Sequence, residues 1–481
     1  MTADNNGMVF LWQAIGREGF PKEATDEYAR WLGVSPASEK RDCFVDAEEY
    51  AKGRPDAKEL LRGIPERWYE EYRAAIDSPW SAEELPFAAD WLAANERPLT
   101  LLVEASKRPR CWEPLIGHRK EILEGTGVAA GVERAFDGLA DCDFSLPVPL
   151  HTRGLCLKAG NLLLARAMLR VGEGRSREAW RDVLVYIRLA ELLHQSPEVL
   201  FVECDIAASM RALGCCAAQK LLHRGNLSAD ELAAMRNDLA NLPKSLPLPD
   251  HVDKGVRGMC LDWAVKCARQ GTRRLKDTYA SNEDSGKKGG IDPVLTRLEA
   301  IDDRHIDWDA VLRLVNTWFD RSVDAMRRPT HAERLTSLRQ IKNETNQIIH
   351  EASKDRVKVS NEAILAVLFF RTSLPESAAM QVGYDRAEMW FELTKLAFAL
   401  AHYRADHGSY PRKAGDLVPK YVNEIAKDIF NDSDLHYTSD GNTYLLYSVG
   451  PNGRDDGGKG VFGQSDRDGR TDGDDLAIRG G

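Results

Sequence analysis

Residues 389–411, MWFELTKLAFALAHYRADHGSYP, decide how the C-terminal part of the chain is organised. Apolar side chains recur three and four residues apart from Met389 to Tyr403, which predicts a long amphipathic helix. Gly408 can adopt the left-handed conformation that ends many helices, and Pro411 disfavours a continuation. We therefore predict a helix that stops close to Gly408 and a change of structure beyond it.

Strand signals follow this helix. Leu435-His436-Tyr437 and the run from Tyr444 to Val449 flank the turn sequence Ser439-Asp440-Gly441-Asn442, whose Asp-Gly pair favours a tight hairpin. A segment rich in Gly and Asp then leads to the short apolar run Leu476-Ala477-Ile478. These patterns predict that residues 376–481 form a small α+β module, with a long helix and an antiparallel sheet.

The preceding residues carry helical patterns almost throughout. Ser81 with Glu84 and Ser228 with Glu231 match the capping box that opens helices. Two long apolar patterns after residue 146 are separated by Gly172-Glu173-Gly174, which predicts a helical hairpin. The sequence thus predicts a multidomain protein with an all-α domain at 1–280 and further helices at 291–372. Residues 281–290 have the composition of an exposed loop and mark the boundary between them.

Composition and charge narrow the class of protein. Hydrophobic residues make up 43% and charged residues 29% of the 481 residues, as in ordinary folded proteins. The chain has 65 Lys and Arg against 75 Asp and Glu, so it lacks the basic excess of nucleic-acid binders. The N-terminus shows no signal-peptide pattern, and the longest strongly apolar run, Ala363 to Phe370, is too short to span a bilayer. We expect neither a nucleic-acid partner nor a transmembrane segment.

The cysteine and tryptophan patterns indicate structural roles. The nine cysteines are odd in number, and none forms a C-x-x-C pair. Most lie in apolar helical surroundings, where we expect them to be buried as small hydrophobes. The eleven tryptophans lie mainly on apolar helical faces and are predicted core residues, with an aromatic binding groove as the alternative. Among them are Trp12, Trp31, Trp68, Trp91 and Trp180.

The acidic, Gly-rich segment after Val449 has the composition of a calcium loop. Calcium is bound by six to eight oxygen ligands, and carboxylates on a chain that turns tightly can supply them. The EF-hand pattern is not met, because Thr471 and Ala477 occupy the positions of the invariant Gly and the last Glu when counting from Asp466. Composition alone is equally compatible with a disordered acidic tail.

An ordered series of motifs in roughly the last 95 residues resembles the globular domain of the major pseudopilin of type II secretion. The resemblance implies a C-terminal Ca²⁺ loop. The ligand positions it implies are Asn452, Asp455, Asp456, Asp474 and Asp475. The motifs are Met389 to Pro411, Leu417-Val418-Pro419-Lys420-Tyr421, Asp428-Ile429-Phe430, Leu435-His436-Tyr437, Tyr447-Ser448-Val449-Gly450-Pro451-Asn452-Gly453 and Asp474-Asp475-Leu476.

The chain departs from that family in two ways. Ile429 replaces a Pro and Asp432 replaces a usual Gly at the corner before the sheet. Helical domains also precede the module, where a pseudopilin has a processed apolar helix that packs into a fibre. We therefore expect a calcium-stiffened cap or docking surface rather than a fibre subunit. The helical region, through Asn95, Pro98-Leu99 and Leu102 to Ser106, resembles uncharacterised bacterial envelope proteins.

These features favour a non-enzymatic, envelope-associated or extracytoplasmic binding or scaffold protein with an unidentified protein or envelope partner. Two alternatives remain open. Asp302-Asp303-Arg304-His305-Ile306-Asp307 is the densest His and carboxylate cluster, and it could serve a metal-dependent hydrolase. The same cluster could instead be a polar loop with no catalytic role, in which Asp307 caps the following helix. The second alternative for the whole chain is a cytoplasmic helical adaptor with an acidic tail.

Overall fold

The computed structural model confirms a mainly helical chain with a small antiparallel sheet near the C-terminus. It describes residues 4–16, 33, 43–63, 65–112, 147–195, 201–244, 246–273, 275, 301–354, 359–460 and 473–481. The predicted boundary loop at 281–290 lies outside these residues, so the predicted domain bounds stay a prediction. Cys142 and Trp31 also lie outside them.

Ten helices are described in the first half of the chain. They are α1 Met8–Ile15, α2 Ala47–Lys52, α3 Ala57–Leu60, α4 Arg67–Asp77, α5 Pro86–Ala94, α6 Glu96–Ser106, α7 Pro147–Gly172, α8 Ser176–Leu193, α9 Phe201–Arg224 and α10 Ala229–Ala240.

The remaining helices are α11 Leu248–His251, α12 Arg257–Gln270, α13 Trp308–Met326, α14 His331–Lys354, α15 Asn361–Ser373 and α16 Ser377–His407. A π-helical turn, Val252–Val256, joins α11 to α12, and 3-10 turns occupy Asp303–His305 and Ala414–Leu417. The strands β1 His436–Ser439, β2 Tyr444–Ser448 and β3 Leu476–Gly480 form the sheet in the order β1-β2-β3.

The apolar side chains gather in three cores. The first core belongs to α1–α10 and includes the predicted residues Trp12, Trp68, Trp91 and Trp180. The second core combines α11 and α12 with α13–α15, so it contains residues from both sides of the 281–290 segment. The third core lies between α16 and the sheet.

Helix α16 takes part in all three cores. Met380 near its start belongs to the second core, and Phe398 belongs to the first, where its ring lies 5.1 Å from that of Trp180. Met389, Trp390 and other residues of its later turns form the third core with the sheet. The C-terminal sheet is therefore attached to the helical body along a buried helix.

Most of the local predictions are confirmed. The α7–α8 hairpin turns at Gly174 with a φ of 74°, and Gly408 ends α16 in the left-handed conformation. Ser228 and Glu231 form the predicted capping box of α10. The box at Ser81 is wrong as a helix start, because its Glu84 contact closes a turn and the helix begins at Pro86. Proline is favoured in the first turn of a helix, so this signal prevailed.

One helical stretch, Asn361–His407, is long and apolar enough to cross a membrane by length and composition alone. It joins α15 and α16, and 56% of its most apolar window is buried inside the chain. Core helices of folded proteins pass the same test, so this stretch is weak evidence for a membrane span.

Candidate functional site

The candidate calcium site begins where β2 ends. The buried carboxylate of Asp428 accepts hydrogen bonds from the Ser448 hydroxyl at 2.9 Å and from the Val449 N–H at 2.8 Å. Gly450 then turns the chain with a φ of 68°. A Cβ at this position would lie 2.2 Å from the carbonyl oxygen of Asp474, so only glycine fits this close approach. The turn therefore directs residues 451–460 along the segment that leads into β3.

Three carboxylates converge beside this turn. Ser448 pairs with Leu476 in the β2–β3 ladder, which places the residues after β2 next to the residues before β3. Carboxylate oxygens of Asp456, Asp474 and Asp475 consequently lie within 4.8 Å of one another. The strand register thus brings together acidic residues that lie about twenty positions apart in the sequence.

Backbone amides hold two of the carboxylates in place. Asp475 is 1% exposed and accepts hydrogen bonds from the N–H groups of Gly458 at 2.7 Å and Asp456 at 3.1 Å. Asp474 accepts from the Asn452 N–H at 3.0 Å, and the Asn452 side-chain amide donates to Asp456 at 3.0 Å. Asn452 therefore connects the two sides of the cluster.

The electrostatics of the cluster favour a cation. Burial raises the pKa of Asp474 and of Asp475, and the neighbouring Asp456 carboxylate raises both further. The Oδ1 atom of Asp474 is buried and has no hydrogen-bond partner among the described residues. A divalent cation would supply the missing partner and offset the repulsion between the carboxylates. These hard oxygen donors fit the chemistry of Ca²⁺.

Asp455, the fifth predicted ligand, belongs to a different network. It accepts hydrogen bonds from the Tyr447 hydroxyl at 3.0 Å and the Gly457 N–H at 2.9 Å, and these bonds lower its pKa. His436 lies 3.8 Å away and stacks on Tyr447. The structure thus brings Asn452, Asp456 and the Asp474–Asp475 pair together and places Asp455 beside them. Asp466, Asp468 and Asp472 lie outside the described residues.

The cluster around His305 has the geometry of an exposed turn. The His305 side chain is 82% exposed and contacts Asp302 at 3.2 Å. Arg304 holds the pKa of Asp302 well below its usual range. Asp307 caps α13 by accepting a hydrogen bond from the Ala310 N–H at 2.9 Å, which confirms the capping interpretation. Nothing in this arrangement favours the hydrolase alternative.

A groove of about 860 Å³ lies where α10 and α16 meet residues 419–426. Its lining mixes cations and anions, including Arg211, Glu388 and Lys420. The groove could not be predicted from the sequence, because it depends on how separate elements pack and each element alone has an ordinary amphipathic pattern. The helical body forms one wall of the groove and the C-terminal module forms another, so the groove is a candidate docking surface.

Arg236 closes one side of this groove. Its guanidinium donates to the Tyr421 carbonyl oxygen and to the His402 ring at 2.8 Å. Burial, and then the charge of Arg236, lower the pKa of His402. A guanidinium can only donate, so the His402 Nδ1 is the acceptor of this bond. Asp406 accepts bonds from Lys420 and Tyr421, each at 2.7 Å, and its pKa falls to about 2. These contacts fix the segment after α16 against α10.

Fold and site together define a mainly helical protein whose small C-terminal sheet carries a convergent carboxylate cluster. No protein-family model, curated protein or solved structure matches the chain. The resemblance to the pseudopilin globular domain therefore stays a prediction.

Proposed function

We propose that this chain is a non-enzymatic binding or scaffold protein whose C-terminal module is stabilised by Ca²⁺. The observation that carries the proposal is the convergence of Asp456, Asp474 and Asp475, with one buried oxygen of Asp474 lacking a hydrogen-bond partner among the described residues. Asn452 adds a fourth polar side chain at the same place. Calcium modules of extracellular proteins bind at roughly 0.1–1 mM, which suits a partly exposed site of this kind.

The burial of α16 supports a scaffold role over a fibre subunit. Leu393, Ala397 and Leu400 are fully or almost fully buried against the chain's own sheet and helices. A helix whose apolar surface is already covered has little left to offer a neighbouring subunit. The module instead extends the helical body, and the 860 Å³ groove between them is the surface where we place a protein or envelope partner.

The envelope-associated or extracytoplasmic location is the part of the proposal that depends on the resemblance. Millimolar calcium is available outside the cytoplasm, so a loop of modest affinity would be loaded there. Binding of the ion and location of the protein are separate statements, and each has its own test.

Calcium binding is tested by thermal unfolding of the full chain in EGTA and in about 2 mM Ca²⁺. For a Kd of roughly 0.1–1 mM, this concentration is about two to twenty times the Kd and stabilises the native state by about 0.7–1.8 kcal/mol, so the midpoint of the module should rise. The double variant Asp474→Asn with Asp475→Asn should abolish the rise while preserving side-chain shape. Tb³⁺ luminescence sensitised by Tyr447, which hydrogen-bonds to the neighbouring Asp455, gives a second readout.

Asp432→Asn with Asp434→Asn is the matched control, because it removes the same charge from exposed positions of the same module. This control should keep the full calcium response. An unchanged midpoint in the wild-type chain, or an equal rise in the Asp474 and Asp475 variant, would refute the calcium site.

A further inference from the structure

A second set of metal-binding side chains lies in the helical body, far from the carboxylate cluster in the sequence. His194, Cys204 and His251 are 5%, 2% and 0% exposed. One ligand atom from each, the two imidazole nitrogens and the thiol sulfur, lies within 4.8 Å of the other two. The sequence gives no sign of this cluster, because the spacings of ten and 47 residues match no metal motif.

Three separate elements supply these side chains. His194 caps the C-terminus of α8, where its N–H bonds to the Ala190 and Glu191 carbonyls. Cys204 lies in the first turn of α9, and His251 is the last residue of α11. The π-helical turn Val252–Val256 follows His251 directly. Such turns are rare within helices and are frequent at functional sites, which sets this position apart from an ordinary core histidine.

The cluster lies at the boundary between two cores. Helix α8 packs in the first core, whereas Cys204 and the α11–α12 segment pack in the second. The His194 and His251 rings stack with their centroids 4.2 Å apart and their planes at 29°. The neutral imidazole is the form that binds metals.

The donor set selects the class of metal. Imidazole nitrogen and thiolate sulfur are the preferred ligands of Zn²⁺, whereas Ca²⁺ and Mg²⁺ require oxygen. Bond lengths of about 2.0–2.3 Å at tetrahedral angles place such ligand atoms about 3.3–3.6 Å apart. The ligand atoms lie within 4.8 Å of one another, and binding of one ion would turn the stacked rings of His194 and His251 about their side-chain torsions so that a nitrogen of each points at it.

We propose that His194, Cys204 and His251 bind Zn²⁺ and that the ion holds the two helical cores together. The near-complete burial of all three ligands leaves no approach for a substrate, so the role is structural. A void of about 10 Å³ borders His194 and is also lined by Tyr384. It is about the size of a single water molecule.

The test uses full-length chain without a histidine tag, because a tag would bind the same metals. Metal analysis after purification should find one zinc ion per chain. Replacement by Co²⁺ should give a thiolate-to-cobalt charge-transfer band and the intense visible bands of a four-coordinate ion. Oxygen-only sites such as the carboxylate cluster cannot give the thiolate band, so the band reports a cysteine ligand.

Cys204→Ser should abolish the charge-transfer band, and His251→Gln should weaken Co²⁺ binding at least tenfold. Cys260→Ser is the matched control, since Cys260 is another fully buried helical cysteine of the second core, and it should keep both band and affinity. Alkylation of wild-type chain at increasing urea concentration, with and without zinc, followed by mass spectrometry, should show that the metal keeps Cys204 protected to higher urea. This measurement requires no variant to fold.

Absence of zinc together with no cobalt band in the wild-type chain would overturn the proposal. A charge-transfer band that survives in Cys204→Ser, or alkylation of Cys204 that is indifferent to zinc, would overturn it as well. The calcium proposal is unaffected by these outcomes, because it involves different residues and a different metal.

Discussion

The turn at Gly450 gives the sharpest test of how the carboxylate cluster is built. Gly450 and Gly453 both have a φ of 68°, and alanine is disfavoured there by about 1–2 kcal/mol. Only Gly450 is crowded: its Cβ would lie 2.2 Å from the Asp474 carbonyl oxygen, whereas nothing lies within 4 Å of a Cβ at Gly453. Overpacking of this kind costs about 1–3 kcal/mol. Gly450→Ala should therefore destabilise the module by about 2 kcal/mol more than Gly453→Ala.

The comparison requires urea unfolding of both variants and of the wild-type chain, each measured in EGTA and in calcium. Because Asp474 must move to admit the new methyl group, Gly450→Ala should also lose most of the calcium-induced stabilisation. Gly453→Ala should keep that stabilisation, since its cost arises from the backbone conformation alone. Equal destabilisation by the two variants would show that the turn and Asp474 are not in close contact and would refute this account of the site.

Three further predictions concern buried polar contacts. Asp182 is 2% exposed and pairs with two arginines of α7, so Asp182→Ala should lower the free energy of unfolding by about 3 kcal/mol. Glu178→Ala should change it little, because the Glu178 side chain is 40% exposed and its ion pair with Arg175 is open to water. Because the folded state lowers the pKa of His402, the contribution of this group to the free energy of unfolding is complete above its normal pKa of 6.5 and is lost as the pH falls. Arg236→Ala removes a nearby positive charge and should raise the pKa of His402 in an NMR titration. Asp428→Asn should cost about 2 kcal/mol in urea unfolding, because an amide cannot accept all the hydrogen bonds that reach the carboxylate.

The local elements of this chain could be predicted from the sequence. The end of α16 at Gly408, the capping box of Ser228 and the hairpin around Asp440-Gly441 are formed by residues a few positions apart. Their hydrogen bonds are local, so the pattern of residue types contains the necessary information. The helix start predicted at Ser81 is wrong, because two local signals compete there and the proline at Pro86 sets the first turn of the helix.

The candidate sites depend on contacts between distant residues. The acidic composition after Val449 suggested carboxylate ligands, but the β2–β3 register decides that Asp474 and Asp475 face Asp456 while Asp455 turns to Tyr447. Composition cannot distinguish these positions, because each carries the same carboxylate. Strand pairing over more than twenty residues makes the selection.

The pattern of residue types predicts most of the helices and strands and their apolar faces. Which apolar faces meet depends on the packing of the whole chain, including the contact of α16 with all three cores and the meeting of His194, Cys204 and His251. The physical reason is that backbone hydrogen bonds in helices and turns depend on near neighbours, whereas burial of apolar surface is non-directional and does not specify a partner. Packing of the whole chain makes that choice, and with it places the two candidate metal sites.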